Sequence, residues 1–249
     1  MIELINLCKA FDDNVVLDNV NLTINDGETV VIIGRSGTGK SVMLKHIIGL
    51  MRPDSGQVII DGQDVTRLGG KELNELRLKF GMLFQGAALF DSLSVRDNVA
   101  FNLLEHRKMD DASIDKRVAE CLSLVGLKGI EGLRPSELSG GMRKRVGLAR
   151  AICMDPKIIL YDEPTTGVDP IMADAVNDLI KDLQSKLKTT AIAVTHDMIS
   201  AYKIADRIAM LYKGKIVEAG TPEQIRKTSN PIVKQFITGA ASGPITEDS

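Results

Sequence analysis

The sequence predicts an α/β fold on a mainly parallel sheet, with an antiparallel β subdomain at the N-terminus and an inserted α-helical subdomain. Three observations carry this. A glycine-rich loop, Gly34-Arg35-Ser36-Gly37-Thr38-Gly39-Lys40-Ser41, lies between the buried-strand pattern Val30–Ile33 and a helical pattern in which Leu44, Ile47 and Ile48 share a face. Short, wholly apolar runs, Ile158–Tyr161 and Ala191–Val194, suit central parallel strands covered on both faces. From about residue 92 to 155 the spacing turns helical, with Ile114, Val118, Cys121, Leu122 and Val125 on one face.

Taken in order, the chain opens on strands. Ile2, Leu4 and, after Asn6, Leu7 alternate in part, and Val15–Ile24 reads as a second strand ending at the turn Asn25-Asp26-Gly27. Gln57–Ile60 followed by Asp61-Gly62 reads as a strand entering a hairpin. Gly126 is placed to stop the helix that carries Ile114–Val125. After Ile158–Tyr161, the positions Met172, Val176, Leu179, Ile180, Leu183 and Leu187 fall on one helix face. Arg207–Tyr212 and Lys215–Ala219 flank Lys213-Gly214, a second hairpin. One domain is expected over residues 1–238, its helical part at about 86–155, with a small, polar, flexible tail over 239–249.

Composition narrows the function classes. A chain of 249 residues with 44% hydrophobic content can bury a large core. A net charge of −2 gives no basic excess of the kind that marks nucleic-acid binding. Cys8, Cys121 and Cys153 are isolated and odd in number, which argues against a disulfide framework or zinc site and fits a reducing compartment. The start does not read as a signal peptide, and no run approaches the ~20 apolar residues of a membrane-spanning helix. A soluble chain is expected, its membrane role, if any, supplied by a partner.

The glycine-rich loop fits G-x-x-x-x-G-K-[ST] at every fixed position. Its glycines let backbone N–H groups curl around an anion, and the helix start adds a positive dipole end. Lys40 is placed to reach the β- and γ-phosphates of a nucleoside triphosphate and Ser41 to offer a hydroxyl to Mg²⁺. Asp162 and Glu163 close the run Ile158–Tyr161. A carboxylate there suits an outer Mg²⁺ ligand, and Glu163 is the natural general base for an attacking water.

Leu138-Ser139-Gly140-Gly141-Met142 offers a hydroxyl and open N–H groups at a helix start. With this motif the chain resembles, over nearly its whole length, the nucleotide-binding subunits of ABC transporters, whose signature is LSGGQ-like. The resemblance implies an ABC-ATPase core that binds ATP and Mg²⁺ and hydrolyses ATP. It implies that Phe11 stacks on adenine, that Gln85 senses Mg²⁺ and the γ-phosphate, that His196 is the switch histidine, and that Asp169 is the loop aspartate at a dimer interface. It also implies a head-to-tail homodimer in which one subunit's phosphate loop faces the other's Ser139, Gly140 and Gly141. Integral membrane permease subunits would use its closure, from the cytoplasmic face of the inner membrane.

Some positions depart from the family pattern. The signature ends in Met142, not glutamine, and Gly167 replaces a bulkier residue before Asp169. Arg143-Lys144-Arg145 reads either as a solvated helix face or as a cationic flank near the partner's nucleotide. The segment from Phe84 to Phe101 is similar to the ATPases of MCE-linked phospholipid transport systems of the Mla type, in which small residues and Leu-Phe follow the glutamine. That similarity implies lipid transport with an MCE-domain substrate-binding protein and a small regulatory subunit, and sets this segment against the permease, with Leu89, Phe90 and Leu93 either on the floor of its groove or packed locally within the helical subdomain. The alternative is an importer of amino acids or other small solutes. A DNA-repair ABC protein is disfavoured because only 99 positions separate Lys40 from Ser139, too few for a long coiled coil.

Overall fold

Alternation sets up the first sheet. In the computed structural model, which describes residues 1–107 and 109–247, β1 (Ile2–Phe11) pairs antiparallel with β2 (Asn14–Ile24). Ile2, Leu4 and Leu7 are buried against Leu17, Val20, Leu22 and Ile24. The interruption at Asn6 is a bulge: its φ is 48° and the register shifts between Leu4 and Leu7, returning Leu7 to the buried face. β3 (Thr29–Ile33) is buried along its length, which explains its unbroken apolar run. α1 (Lys40–Ile47) buries Met43, Leu44 and Ile47. β4 (Ser55–Ile60) turns into β5 (Gln63–Asp64) through Asp61 and Gly62, both at positive φ (50° and 79°), as an Asp-Gly hairpin requires. The antiparallel sheet is ordered β2-β1-β4-β5.

α2 (Gly70–Arg77) leads to β6 (Phe80–Leu83). Then come α3 (Val95–His106), α4 (Asp111–Leu124) and α5 (Gly140–Ile152), with no strand among the described residues until β7 (Ile158–Asp162). Each helix has a side-chain cap: Ser94, Asp110 and Ser139 accept from the N–H of Asp97, Ser113 and Met142. β7 runs parallel to β6, with Phe80 opposite Ile158 and Leu83 opposite Tyr161. α6 (Pro170–Leu187) buries Val176, Ile180 and Leu183 from the expected face. The chain closes with β8 (Thr190–Thr195), α7 (Met198–Ile204), β9 (Arg207–Tyr212), β10 (Lys215–Gly220), α8 (Pro222–Arg226), α9 (Pro231–Thr238) and α10 (Pro244–Glu247).

These elements fall into two compact units, Met1–Leu73 with Ile192–Ser249, and Asn74–Ala191. In unit one, β9 lies parallel to β3 and antiparallel to β10, and Lys213 and Gly214 form the expected tight turn at φ 45° and 76°. Unit two extends beyond the helical stretch expected over about 86–155, because β6, β7 and α6 belong with it. Cys121 and Cys153 are both buried there as free thiols, and their mutual hydrogen bond, followed by burial, pushes Cys153 up.

The expected flexible tail differs from expectation up to Glu247. Gln235 of α9 donates to the Ala240 carbonyl (3.1 Å) and accepts from the Ile245 N–H (2.7 Å), and Ile245 is buried. One apolar anchor in a polar segment is enough to dock it. Asp248 and Ser249 of that tail lie outside the described residues.

Candidate functional site

In unit one the phosphate loop leaves β3 and enters α1. Gly39, at φ 99°, caps α1 without bringing a side-chain acceptor to the helix start. A Cβ at Gly39 would meet Val16 Cγ1 at 2.7 Å and the Val16 carbonyl at 2.9 Å, so β2 permits only glycine there. A Cβ at Gly34 would meet the Leu211 carbonyl at 2.5 Å. Gly37, at φ 81°, has open space around it. Lys40 is buried, and its Nζ donates to the carbonyls of Gly34 (2.8 Å) and Arg35 (2.9 Å). Thr38 Oγ1 donates to the Arg35 carbonyl (2.9 Å). Arg35, Ser36 and Gly37 are exposed and, with Thr38, Val15, Val16 and Tyr212, help line a cleft of about 360 Å³. A tight glycine cradle, a buried lysine beneath it and a helix starting at Lys40-Ser41 together fit a polyphosphate.

Two other expected residues lie in unit one. Phe11 ends β1 with 42% of its surface exposed, and Lys9 Nζ sits 5.4 Å from its ring centroid. An exposed ring can stack on a base. His196 is exposed after β8 and precedes Asp197, the N-cap of α7.

Unit two carries the acids. β7 ends with half-buried Asp162, and Glu163 follows, buried and in the left-handed region at φ 49°. Thr166 Oγ1 donates to Glu163 Oε2 (3.0 Å). Gln85 is exposed after β6. Beyond it, Ala87 and Ala88 both take positive φ (61° and 47°), and Arg150 of α5 donates to their carbonyls at 2.6 and 2.7 Å. Leu89 and Leu93 are half-buried, and the exposed Phe90 stacks on Phe101 at 4.7 Å.

Ser139 is exposed and caps α5, accepting the Met142 N–H at 3.2 Å. Gly140 has no close neighbour, whereas a Cβ at Gly141 would strike Met172. Asp169 is exposed and caps α6 through the N–H of Ile171 (3.1 Å) and Met172 (3.0 Å), after Gly167 at φ 83°. The structure thus places Gln85, Asp162, Glu163, Ser139, Gly140, Gly141 and Asp169 in one unit, and the loop, Phe11 and His196 in the other.

The family model described as ABC transporter matches residues 17–166, more than half of the chain. The chain belongs to the ABC transporter family. It is an ATP-binding cassette, the ATP-hydrolysing subunit of a transporter, and such cassettes dimerise and work with membrane permease components. It is 46% identical over 244 residues to "Probable ribonucleotide transport ATP-binding protein mkl" of Mycobacterium tuberculosis, a match spanning 98% of this chain and 68% of that one. It is 43% identical over 245 residues to "Intermembrane phospholipid transport system ATP-binding protein MlaF" of Haemophilus influenzae, spanning 98% of this chain and 93% of that one. Among solved structures it is similar to a dimeric ATP-binding cassette in a post-hydrolysis state bound to ADP and Pi, with TM-score 0.82, 35% identity, and coverage of 89% and 99%.

Within this cassette the basic run Arg143-Lys144-Arg145 does not form one solvated face, contrary to the first of the two sequence-based expectations. Only Arg143 is exposed, and it donates to the Leu138 carbonyl at 2.7 Å. Lys144 is 5% exposed and donates to the carbonyls of Gln85 and, at 3.4 Å, Glu163. Burial pushes its ammonium pKa down, while the charges of Glu163 and Asp162 push it back up. The signal was present: Gly141, Lys144, Leu148 and Ala151 share the buried stripe of α5. Arg150 and Thr166 were likewise missed, because nothing in local sequence announces a bond to a distant carbonyl or to a neighbouring acid. Among the described residues no helix is long and apolar enough to cross a membrane.

Proposed function

We propose that this cassette hydrolyses MgATP to drive phospholipid transport between membranes. The observation that carries the lipid assignment is the match to a phospholipid-transport ATPase over nearly the full length of both chains. The small residues and Leu-Phe after Gln85 and the Met142 ending of the signature support it.

The residues divide the work by chemistry. Lys40 neutralises the β- and γ-phosphates, and the loop from Gly34 to Ser41, with Arg35, Ser36, Gly37, Thr38 and Gly39, offers backbone amides. Bound Mg²⁺ would supply charge neutralisation across the phosphates, and Ser41, Gln85 and Asp162 are the residues to hold it. Glu163 takes the proton of the attacking water, with Thr166 steadying its carboxylate. His196 contacts the γ-phosphate, and Phe11 stacks on the base. Ser139, Gly140 and Gly141 serve the nucleotide of the second subunit, and Asp169 lies at that homodimer interface. ATP thereby biases a two-state closure that hydrolysis releases.

The partners in this proposal are permease subunits in the inner membrane, an MCE-domain substrate-binding protein and a small regulatory subunit. The cassette attaches peripherally, at the cytoplasmic face. The name of the mycobacterial relative favours a second possibility, transport of a small polar solute. Purification of the native complex separates the two. Co-purifying MCE-domain protein and bound phospholipid are expected; a solute-binding protein with neither would overturn the lipid assignment.

A further inference from the structure

The turn after β6 is held from α5 by three backbone carbonyls. Lys144 takes that of Gln85, and Arg150 takes those of Ala87 and Ala88. The turn needs holding, because two consecutive alanines sit in the left-handed region, which L-residues adopt only when their surroundings over-determine it. Gly147 keeps the helix close enough: a Cβ there would lie 2.8 Å from Leu83 Cδ1 and 3.2 Å from Ala87 Cβ.

Lys144 differs from Arg150 in reaching a second loop. Its other acceptor is the carbonyl of Glu163, itself a left-handed non-glycine residue. One buried ammonium therefore bridges two strained turns, one beside Gln85 and one at Glu163. We infer that Lys144 is a positioning residue for hydrolysis, fixing the backbone of Gln85 and that of Glu163 to a common point on α5. This rests on the roles proposed above for those two residues. An uncharged chain of similar length fills the same space but removes the one donor that the two carbonyls share, while the Glu163 carbonyl keeps the Thr166 N–H at 3.3 Å.

The test uses the full chain with Lys144→Met beside Glu163→Gln. Steady-state hydrolysis, binding of a fluorescent ATP analogue and amide hydrogen exchange are measured on each. Lys144→Met is expected to lose about tenfold or more in kcat while its nucleotide affinity stays within about threefold. Exchange should quicken at residues 84–89 and 162–167 and not elsewhere in unit two. Wild-type kcat, or exchange raised throughout unit two, would overturn the role. Glu163→Gln separates the two levels. If it hydrolyses ATP at the wild-type rate, the base assignment fails and Lys144's role goes with it. If it is inactive while Lys144→Met is unimpaired, Lys144 alone loses its role.

Discussion

The phosphate loop of unit one and the turns of unit two solve the same problem by opposite means. Both must hold backbone in conformations that ordinary residues resist. At Gly39 the conformation is allowed because there is no side chain, and Val16 stands where one would be. At Ala87, Ala88 and Glu163 side chains are present, the strain remains, and Lys144 and Arg150 hold the carbonyls in place. A glycine loop is cheap to build and local. A cation-held turn depends on charged side chains of a helix remote in sequence, 19 residues from Glu163 and 59 to 63 from the turn at Gln85–Ala88. The first can be set before the rest of the site is complete, whereas the second couples whatever moves the helix to whatever happens at the turn.

The comparison can be broken most severely at the acid. Glu163→Gln keeps the fold around Thr166 but removes the base, so kcat should fall by roughly 10²–10⁴-fold while ATP still binds and dimers accumulate. Light scattering with ATP and a hydrolysis assay check both halves. Wild-type turnover would show that unit two's strained turn does not carry the proton transfer.

Next comes the glycine cradle. Gly39→Ala meets both a steric block and a φ of 99°, and it should weaken ATP binding by more than about tenfold, read by calorimetry. Gly37→Ala faces only the conformational cost, about 1–2 kcal/mol, since no atom lies near its Cβ. Equal effects at the two positions would mean that the loop is not shaped against β2.

Gly147→Leu sharpens the contrast from the other side. It forces α5 away from Leu83 and Ala87 and should cost about 1–3 kcal/mol of stability in unit two. Hydrolysis should drop further than ATP affinity, because the phosphate loop is untouched. A matching loss of affinity would deny the independence of the two devices. Smallest is Ser139→Ala. Loss of the α5 cap should cost about 1 kcal/mol, and melting temperature should fall by roughly 2–4 °C. Thermal melting measures it, and an unchanged melting temperature would remove the cap from the account.

How much of this was legible beforehand follows the same division. Gly34, Gly37, Gly39, Lys40 and Ser41 could be read directly, because a loop shaped by sterics and local hydrogen bonds writes its requirements into adjacent letters. The strand endings at Asp162 and the hairpins at Asp61-Gly62 and Lys213-Gly214 were visible for the same reason. Lys144 was not, since its neighbours Arg143 and Arg145 made it look like one more surface charge. Only the helical stripe shared with Leu148 and Ala151 marks it as inward-facing, and a lysine on such a stripe is easily discounted. The docked tail was missed because one residue, Ile245, outweighs a polar composition once Gln235 offers its backbone two bonds.

That anchored C-terminal hook has a practical side. Ile245 helps line the cleft beside Arg35, Ser36 and Gly37. A label attached at Thr246, next to it, starts at the rim of that cleft. Reporter groups attached there would sense loop occupancy directly, and bulky ones would obstruct it. The choice of attachment point is therefore also a choice about whether the probe observes the nucleotide or competes with it.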